Sequence, residues 1–348
     1  MKAFAARALG FITGLSLAFA FIASTATASE TASNPLRSKT DARQVGFVEV
    51  GDHALYVDYI KPAPGKPILV LLNGLTYRLG CWDAFVRALD GDGYGILRYD
   101  MVGMGQTLLK EAPLVRPIPF DEQIVDLKNL LEALNINEPV HLIGLSYGGG
   151  VAIKFSADYP ELVASAVLMA PYIAPLESQD NWIRLQIQQT RLLNPANPAS
   201  FEDLYDYFLR IIVFSTYPIA EPIVLENPFK LEATYRLAQG ARTFDAAKFI
   251  DEMPPGKLHL VVARNDQYVE NGIHDDYWEK LDPSARVSRL YIEGSEHKIP
   301  EAVPRFAADW VKRIAEGDPL ISGDRTFIGK PWRYSAESGS DKIENIGK

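Results

Sequence analysis

The sequence predicts an α/β protein: a mostly parallel, eight-stranded sheet with helices on both faces and an inserted helical cap. Three observations predict it. Strand-like and helix-like runs alternate along most of the 348 residues, the pattern of a parallel sheet covered on both faces. A tight, glycine-rich turn, Gly144-Leu145-Ser146-Tyr147-Gly148, directly follows the apolar run Val140–Ile143. The alternation then stops between about Tyr172 and Asp251, where helical runs succeed one another with no strand between.

In chain order, residues 1–28 read as a secretory signal. Lys2 and Arg7 precede an apolar run from Ala8 to about Ala23, and Ala26-Thr27-Ala28 before Ser29 has the A-x-A cleavage layout. A periplasmic or secreted chain starting at Ser29 is the expectation. The competing reading is a retained membrane anchor, but the run is short for a bilayer span and holds Gly10, Gly14 and Ser16.

Residues 29–171 read as the first part of the sheet domain. Gln44–Val50 and Ala54–Ile60 form two strands about a Gly51-Asp52 turn, and Pro67–Leu72 is apolar enough for a buried strand. A helix over Trp82–Leu89, a strand over Gly95–Tyr99 and an amphipathic helix over Phe120–Leu134 follow. Ile124, Leu127, Leu131 and Leu134 share one face of that helix. Val140–Ile143 is the strand before Ser146, Val151–Ala157 a helix after it, and Ala164–Met169 the next strand.

Residues 172–251 form the expected cap, with helices over Asn181–Leu193 and Phe201–Phe214. Most of its many aromatic groups are expected to hold it together, and some to line an apolar pocket. Residues 252–316 return to the sheet domain with strands Leu258–Val262 and Arg286–Ile292 and a helix over Glu301–Ala315. In the extension 317–348, Phe327, Trp332 and Tyr334 suit packing of the first half, while Ser335–Lys348 has a disordered composition.

Composition narrows the function. A chain 47% hydrophobic buries a large core, which excludes a disordered or fibrous protein. The net charge of −9, more negative by two once Lys2 and Arg7 are removed, repels phosphate backbones, so no nucleic acid partner is expected. Cys81 is the only cysteine, so no intramolecular disulfide forms; it reads as a small buried group. His53 lies in the first hairpin, His141 and His259 near strand starts, and His274 eight residues after Asp266. None is at a metal-ligand spacing, and neither a metal nor a cofactor is expected.

Four motifs together resemble the α/β-hydrolase family, in its serine-nucleophile, esterase- and lipase-like branch with a helical cap. The first is the Ser146 turn, whose Gly144 and Gly148 remove Cβ atoms that would collide. The second is Leu71-Leu72-Asn73-Gly74-Leu75, where the family usually has His-Gly. The third is Asp100-Met101-Val102-Gly103-Met104-Gly105-Gln106-Thr107, similar to a D-x-x-G-x-G-x-S turn, in which Asp100 shapes the turn. The fourth is the pair of strand-end sites Asn265-Asp266 and Glu296-His297. The chain order Ser146, Asp266, His297 is the one this fold uses.

The resemblance implies roles. Ser146 attacks a carbonyl carbon, His297 accepts and returns the proton, and Asp266 orients the imidazole, with Asp275 or Asp276 as the alternative acid. The N–H groups of Leu75 and Tyr147 form the oxyanion hole. Tyr77 and Arg78, in the same loop as Leu75, either touch substrate or face solvent. A serine here implies acyl transfer, and the expectation is a carboxylic-ester hydrolase acting on a small-molecule acyl substrate. An acyltransferase, a carbon–carbon bond hydrolase, a peptidase and a catalytically silent hydrolase-like binding protein stand as alternatives.

Overall fold

The computed structural model describes residues 42–220, 227–327 and 346–347. The expected signal segment, Trp332, Tyr334 and all of the stretch Ser335–Lys348 except Ile346-Gly347 lie outside them. All eight expected strands are present: β1 (Arg43–Val50), β2 (His53–Ile60), β3 (Ile68–Leu72), β4 (Gly95–Asp100), β5 (Val140–Leu145), β6 (Val163–Met169), β7 (Leu258–Ala263) and β8 (Arg286–Ile292). Two more extend the sheet at the far edge, β9 (Gly323–Phe327) and β10 (Ile346–Gly347), so among the described residues the expected count of eight becomes ten. β9 carries no apolar alternation because only Phe327 of its five residues is buried. Phe327 stacks on Phe306 with ring centroids 3.9 Å apart, which pins β9.

The sheet order is β1-β2-β4-β3-β5-β6-β7-β8-β9-β10. Pairing from β4 through β3 and β5 to β9 is parallel, while β2 is antiparallel to both β1 and β4. β3 explains the two-layer cover at single-residue level. Ile68, Val70 and Leu72 join one apolar core, Leu69 and Leu71 the other, and all five are buried.

The first core takes in side chains of α3 (Phe120–Ala133), α4 (Tyr147–Asp158) and α8 (Asn271–Lys280). The second takes in α1 (Asp83–Ala88), α9 (Ile299–Ala302) and α10 (Pro304–Ala315). The expected helix over Glu301–Ala315 is thus broken after α9, and Pro304 opens α10 at a position where a missing N–H is harmless. A short helix α2 (Gly105–Glu111) follows β4.

Among the described residues, only helices stand between β6 and β7: α5 (Glu177–Leu193), α6 (Phe201–Ala220), α7 (Lys230–Ala241) and a 3₁₀ segment, Ala246–Glu252. Ile183, Ile187, Leu204, Leu209 and Val213 with Tyr205 and Tyr235 give this segment its own small core. Its junction with the sheet domain is close. A Cβ added to Gly240 would lie 1.5 Å from the Ile118 carbonyl oxygen, so only glycine permits α7 this approach. The Ile118 N–H donates to the Arg236 carbonyl at 3.1 Å, and the Tyr172 hydroxyl to that of Ala241 at 3.1 Å.

Candidate active site

The site lies where β5 ends and α4 begins. Ser146 occupies this junction at φ 52° and ψ −116°, a conformation that costs a non-glycine residue about 1–3 kcal/mol. Its own backbone shows what holds it there. The Ser146 N–H donates to the Met169 carbonyl at 2.9 Å, and its carbonyl accepts from the N–H groups of Gly149, Gly150 and Tyr172 at 2.8, 3.1 and 2.8 Å. A Cβ at Gly148 would stand 2.3 Å from the Leu72 carbonyl oxygen, which is why the turn can lie against the end of β3 only with glycine there. Strand β3 leads into the segment over the serine, where a Cβ on Gly74 would sit 3.6 Å from that of Ser146.

Two other strand ends supply the remaining groups. His297, in the loop after β8, places Nδ1 2.7 Å from Oδ2 of Asp266, in the loop after β7. The Asp266 side chain is wholly buried and that of His297 nearly so. Burial by itself would raise the Asp266 carboxyl. The hydrogen bond and charge of His297, with the Val269 and Tyr268 N–H groups on Oδ1 at 3.0 and 2.8 Å, instead hold it below its ordinary value of 3.8. Because Nδ1 faces the acid, Nε2 is the nitrogen left for the cavity that His297 lines. The Tyr268 ring meets the imidazole edge-on at 5.1 Å, fixing its plane.

Ser146, His297, Leu75 and Tyr147 all line one cavity of about 170 Å³. Among the described residues, neither the Leu75 nor the Tyr147 N–H donates to a backbone carbonyl. Tyr147 is the first residue of α4, where helix N–H groups lack intrahelical partners and favour negative charge. The opposite wall comes from the helices between β6 and β7: Leu176 and Ile183 of the α5 region, Tyr205 and Leu209 of α6, Ala238 and Ala241 of α7.

The other candidates hold the scaffold. Asp275 accepts from the Tyr291 hydroxyl at 2.6 Å and pairs with Arg289 at 3.3 Å, away from His297. Asp100 accepts from the Leu79 and Gln106 N–H groups at 2.6 and 2.8 Å, which is the turn-shaping role expected of it. Asn73, where the family usually has His, is fully buried. Its amide donates to the Tyr99 carbonyl at 2.9 Å and its oxygen accepts from the Trp82 indole at 3.0 Å, bolting the loop that carries Leu75. His274 is buried against the Pro171 carbonyl at 3.0 Å, and burial lowers its basicity. Cys81 is only partly buried, with Sγ 3.8 Å from Asn73 Oδ1. Tyr77 lines this cavity, whereas Arg78 is exposed and lines only a larger, neighbouring one.

Sequence reasoning missed Tyr268 and the Asp180–Arg242 wall. Tyr268 carried a local signal, two residues after Asp266 in the same turn. Asp180 and Arg242 carried none, because they meet only through docking of α5, α6 and α7. Tyr205 links them: its hydroxyl donates to Asp180 at 3.0 Å, and the Arg242 guanidinium lies 4.4 Å above its ring. No group of three or more possible metal-binding side chains occurs among the described residues, and no described helix is long and apolar enough to cross a membrane.

Fold and site geometry define an α/β hydrolase. Residues 63–301 match the family model described as serine aminopeptidase, S33, and the chain belongs to that family. A serine hydrolase-like protein of Danio rerio is 31% identical over 285 residues, covering 72% of this chain and 83% of that protein. A 2-hydroxy-6-oxononadienedioate/2-hydroxy-6-oxononatrienedioate hydrolase of Paraburkholderia phymatum is 34% identical over 135 residues, 37% of this chain. The chain spans only 46% of that relative's length. Among solved structures, an Exiguobacterium antarcticum esterase aligns with TM-score 0.58 at 16% identity, covering 78% of this chain and 100% of its own. The enol-lactonase of Burkholderia xenovorans gives 0.56 at 17%, covering 78% and 99%; both likenesses concern the fold.

Proposed function

We propose that this protein is a serine hydrolase that cleaves a carboxylic ester with a short, apolar acyl group. The observation that carries the reading is a single cavity lined by the strained Ser146 and by His297, whose other nitrogen is held by buried Asp266. Ser146 Oγ bonds to the carbonyl carbon as its proton passes to His297 Nε2. Negative charge gathers on the carbonyl oxygen, beside the Leu75 and Tyr147 N–H groups. The carbon–oxygen bond then breaks, and the alcohol leaves with the proton from His297. Water repeats the sequence on acyl-Ser146, releasing the acid and restoring the serine.

Cavity size limits the acyl group. A pocket of about 150 Å³ accommodates benzene, so about 170 Å³ suits a short or medium chain. The family model's aminopeptidase description is weaker support for peptide cleavage. An α-ammonium needs an uncompensated carboxylate, and Asp180 in this cavity already holds Tyr205 and Arg184 at 3.0 and 2.5 Å. Carbon–carbon bond hydrolysis is the second reading, favoured by the similarity to the Paraburkholderia enzyme. The signal-like N-terminus supports a periplasmic location.

Intact-mass labelling with a fluorophosphonate tests the reading. One adduct on the parent, absent in Ser146→Ala, is expected. An unlabelled, correctly folded parent would sink the serine-hydrolase reading.

A further inference from the structure

A second cavity, of about 860 Å³, adjoins the first, and Thr76 and Tyr77 line both. The two differ in size about fivefold and in chemistry. The smaller is walled mainly by apolar and aromatic groups of the helical segment. Among the side chains lining the larger are five Lys or Arg and four Asp or Glu. Many of these charges hold one another: Asp58 accepts from Arg43 at 2.7 and 2.8 Å and from Arg98 at 2.9 Å, and Arg98 also reaches Asp83 at 2.5 Å. Such pairs keep further donor hydrogens and acceptor lone pairs while carrying little net charge. A neutral, hydroxyl-rich ligand suits that wall better than an anion does, because each hydroxyl both donates and accepts.

The larger cavity adjoins the proton path, whose Ser146 and His297 line the smaller one. His297 returns its proton to the leaving oxygen, so the leaving group must lie beside His297, and Lys298, its neighbour in the chain, lines the larger cavity. The shared wall is itself unusual. Thr76 is held at φ 69°, where β-branched residues are rarely found, and its buried hydroxyl has no partner.

We infer that the larger cavity receives the leaving group, and that the substrate is a short-acyl ester of a neutral polyol of about monosaccharide size or larger. The inference rests on the esterase reading and specifies its substrate.

Two acetate esters test it, acetylglucose against ethyl acetate, in the parent and in Leu109→Trp. Leu109 lines the cavity and is 39% exposed, so a larger ring there fills space without entering the core. The parent is expected to favour acetylglucose at least about tenfold in kcat/KM, chiefly through KM, and Leu109→Trp to bring the ratio near one. Equal parental rates, or a preference that Leu109→Trp does not move, would overturn the assignment. Calorimetry of acetylglucose with Ser146→Ala protein gives a readout without turnover. Binding that adding Leu109→Trp weakens about tenfold supports the cavity assignment, and no binding overturns it even where the fluorophosphonate labels Ser146. Binding without labelling would retain the cavity and discard the esterase.

Discussion

Two histidine–carboxylate clusters in this molecule look alike and are built for opposite ends. At the carboxyl end of the sheet, Asp266 holds His297 by one nitrogen, and the other faces a cavity shared with Ser146. At the start of β2, His53 is held by both: Nδ1 lies 3.1 Å from Glu111 of α2 and Nε2 2.8 Å from Glu122 of α3. The second imidazole is a bolt between a hairpin and two helices, with no nitrogen left for chemistry. His141 and His259 repeat the lesson, each with Nδ1 2.8 Å from a serine, Ser165 and Ser288. Burial pushes them down to about 4 and about 3, so at neutral pH they are uncharged packing groups. A histidine beside a serine or a carboxylate is therefore not diagnostic; a second nitrogen open to the nucleophile's cavity is.

Removing each imidazole separates the two roles most widely. His297→Ala should lower kcat/KM by about 10³- to 10⁶-fold on any ester the parent cleaves, with a melting temperature near the parent's. Asp266→Asn should fall about 10⁴-fold, since the carboxylate selects the imidazole tautomer. His53→Ala should behave inversely, with kcat/KM within about twofold but stability lowered by about 1–3 kcal/mol as Glu111 and Glu122 lose their shared partner. Steady-state kinetics beside urea unfolding checks all three. A His53 variant as inactive as the His297 variant would erase the distinction.

The clusters also differ in the sign of their pH dependence. Asp266 is held below its ordinary 3.8, so it stabilises the fold above that value, and the contribution disappears as pH falls through the lower, folded value. Near His53 the order reverses. Burial, helped by the charges of Glu122 and Glu111 and opposed by those of His53 and Arg116, pushes Asp126 up to about 7. Between 3.8 and about 7 the folded state therefore binds the extra proton, and stability falls as pH rises. His53 works in the same direction. Burial lowers it, but Asp126, Glu111 and Glu122 outweigh burial and raise it above 6.5, so its stabilisation is complete below 6.5 and lost as pH passes the folded value. Asp126→Asn should accordingly raise the melting temperature at pH 8 by about 2–4 °C and change it little at pH 4. A pH-independent effect in calorimetry would remove Asp126 from this account.

How much of this was legible in the sequence depends on the range of the interactions. Ser146 and its glycines were readable because the strain and its relief lie within a few residues. Asp266 and His297 were readable because each follows its strand directly, and parallel strands bring their carboxyl ends to one edge. The His53 bolt was not: its partners are 58 and 69 residues away, and nothing local distinguishes His53 from any hairpin histidine. The cavity wall of Asp180, Tyr205 and Arg242 was hidden for the same reason, since three helices must dock before those side chains meet. β9 was missed because a strand with one buried residue has no period to read.

Asn73 gives the smallest and most discriminating test. Where the family usually has His, this chain has an amide whose two ends are both engaged, by the Tyr99 carbonyl and the Trp82 indole. Asn73→Ala leaves the buried Trp82 N–H without its acceptor, a loss worth about 1–3 kcal/mol of stability. The same change loosens the segment that carries Leu75 into the cavity shared with Ser146. A small displacement of the proposed oxyanion donor would weaken the transition state more than the ground state, so kcat should fall about tenfold while KM stays within about twofold. Asn73→Asp keeps the acceptor for Trp82 but loses the donor to Tyr99, and puts a charge where burial opposes it. Its stability should fall further than that of Asn73→Ala, because a buried, unpaired carboxylate is harder to accommodate than a missing amide. If kcat of Asn73→Ala holds at the parent value while stability drops, Asn73 fastens the loop without setting the position of the oxyanion donor.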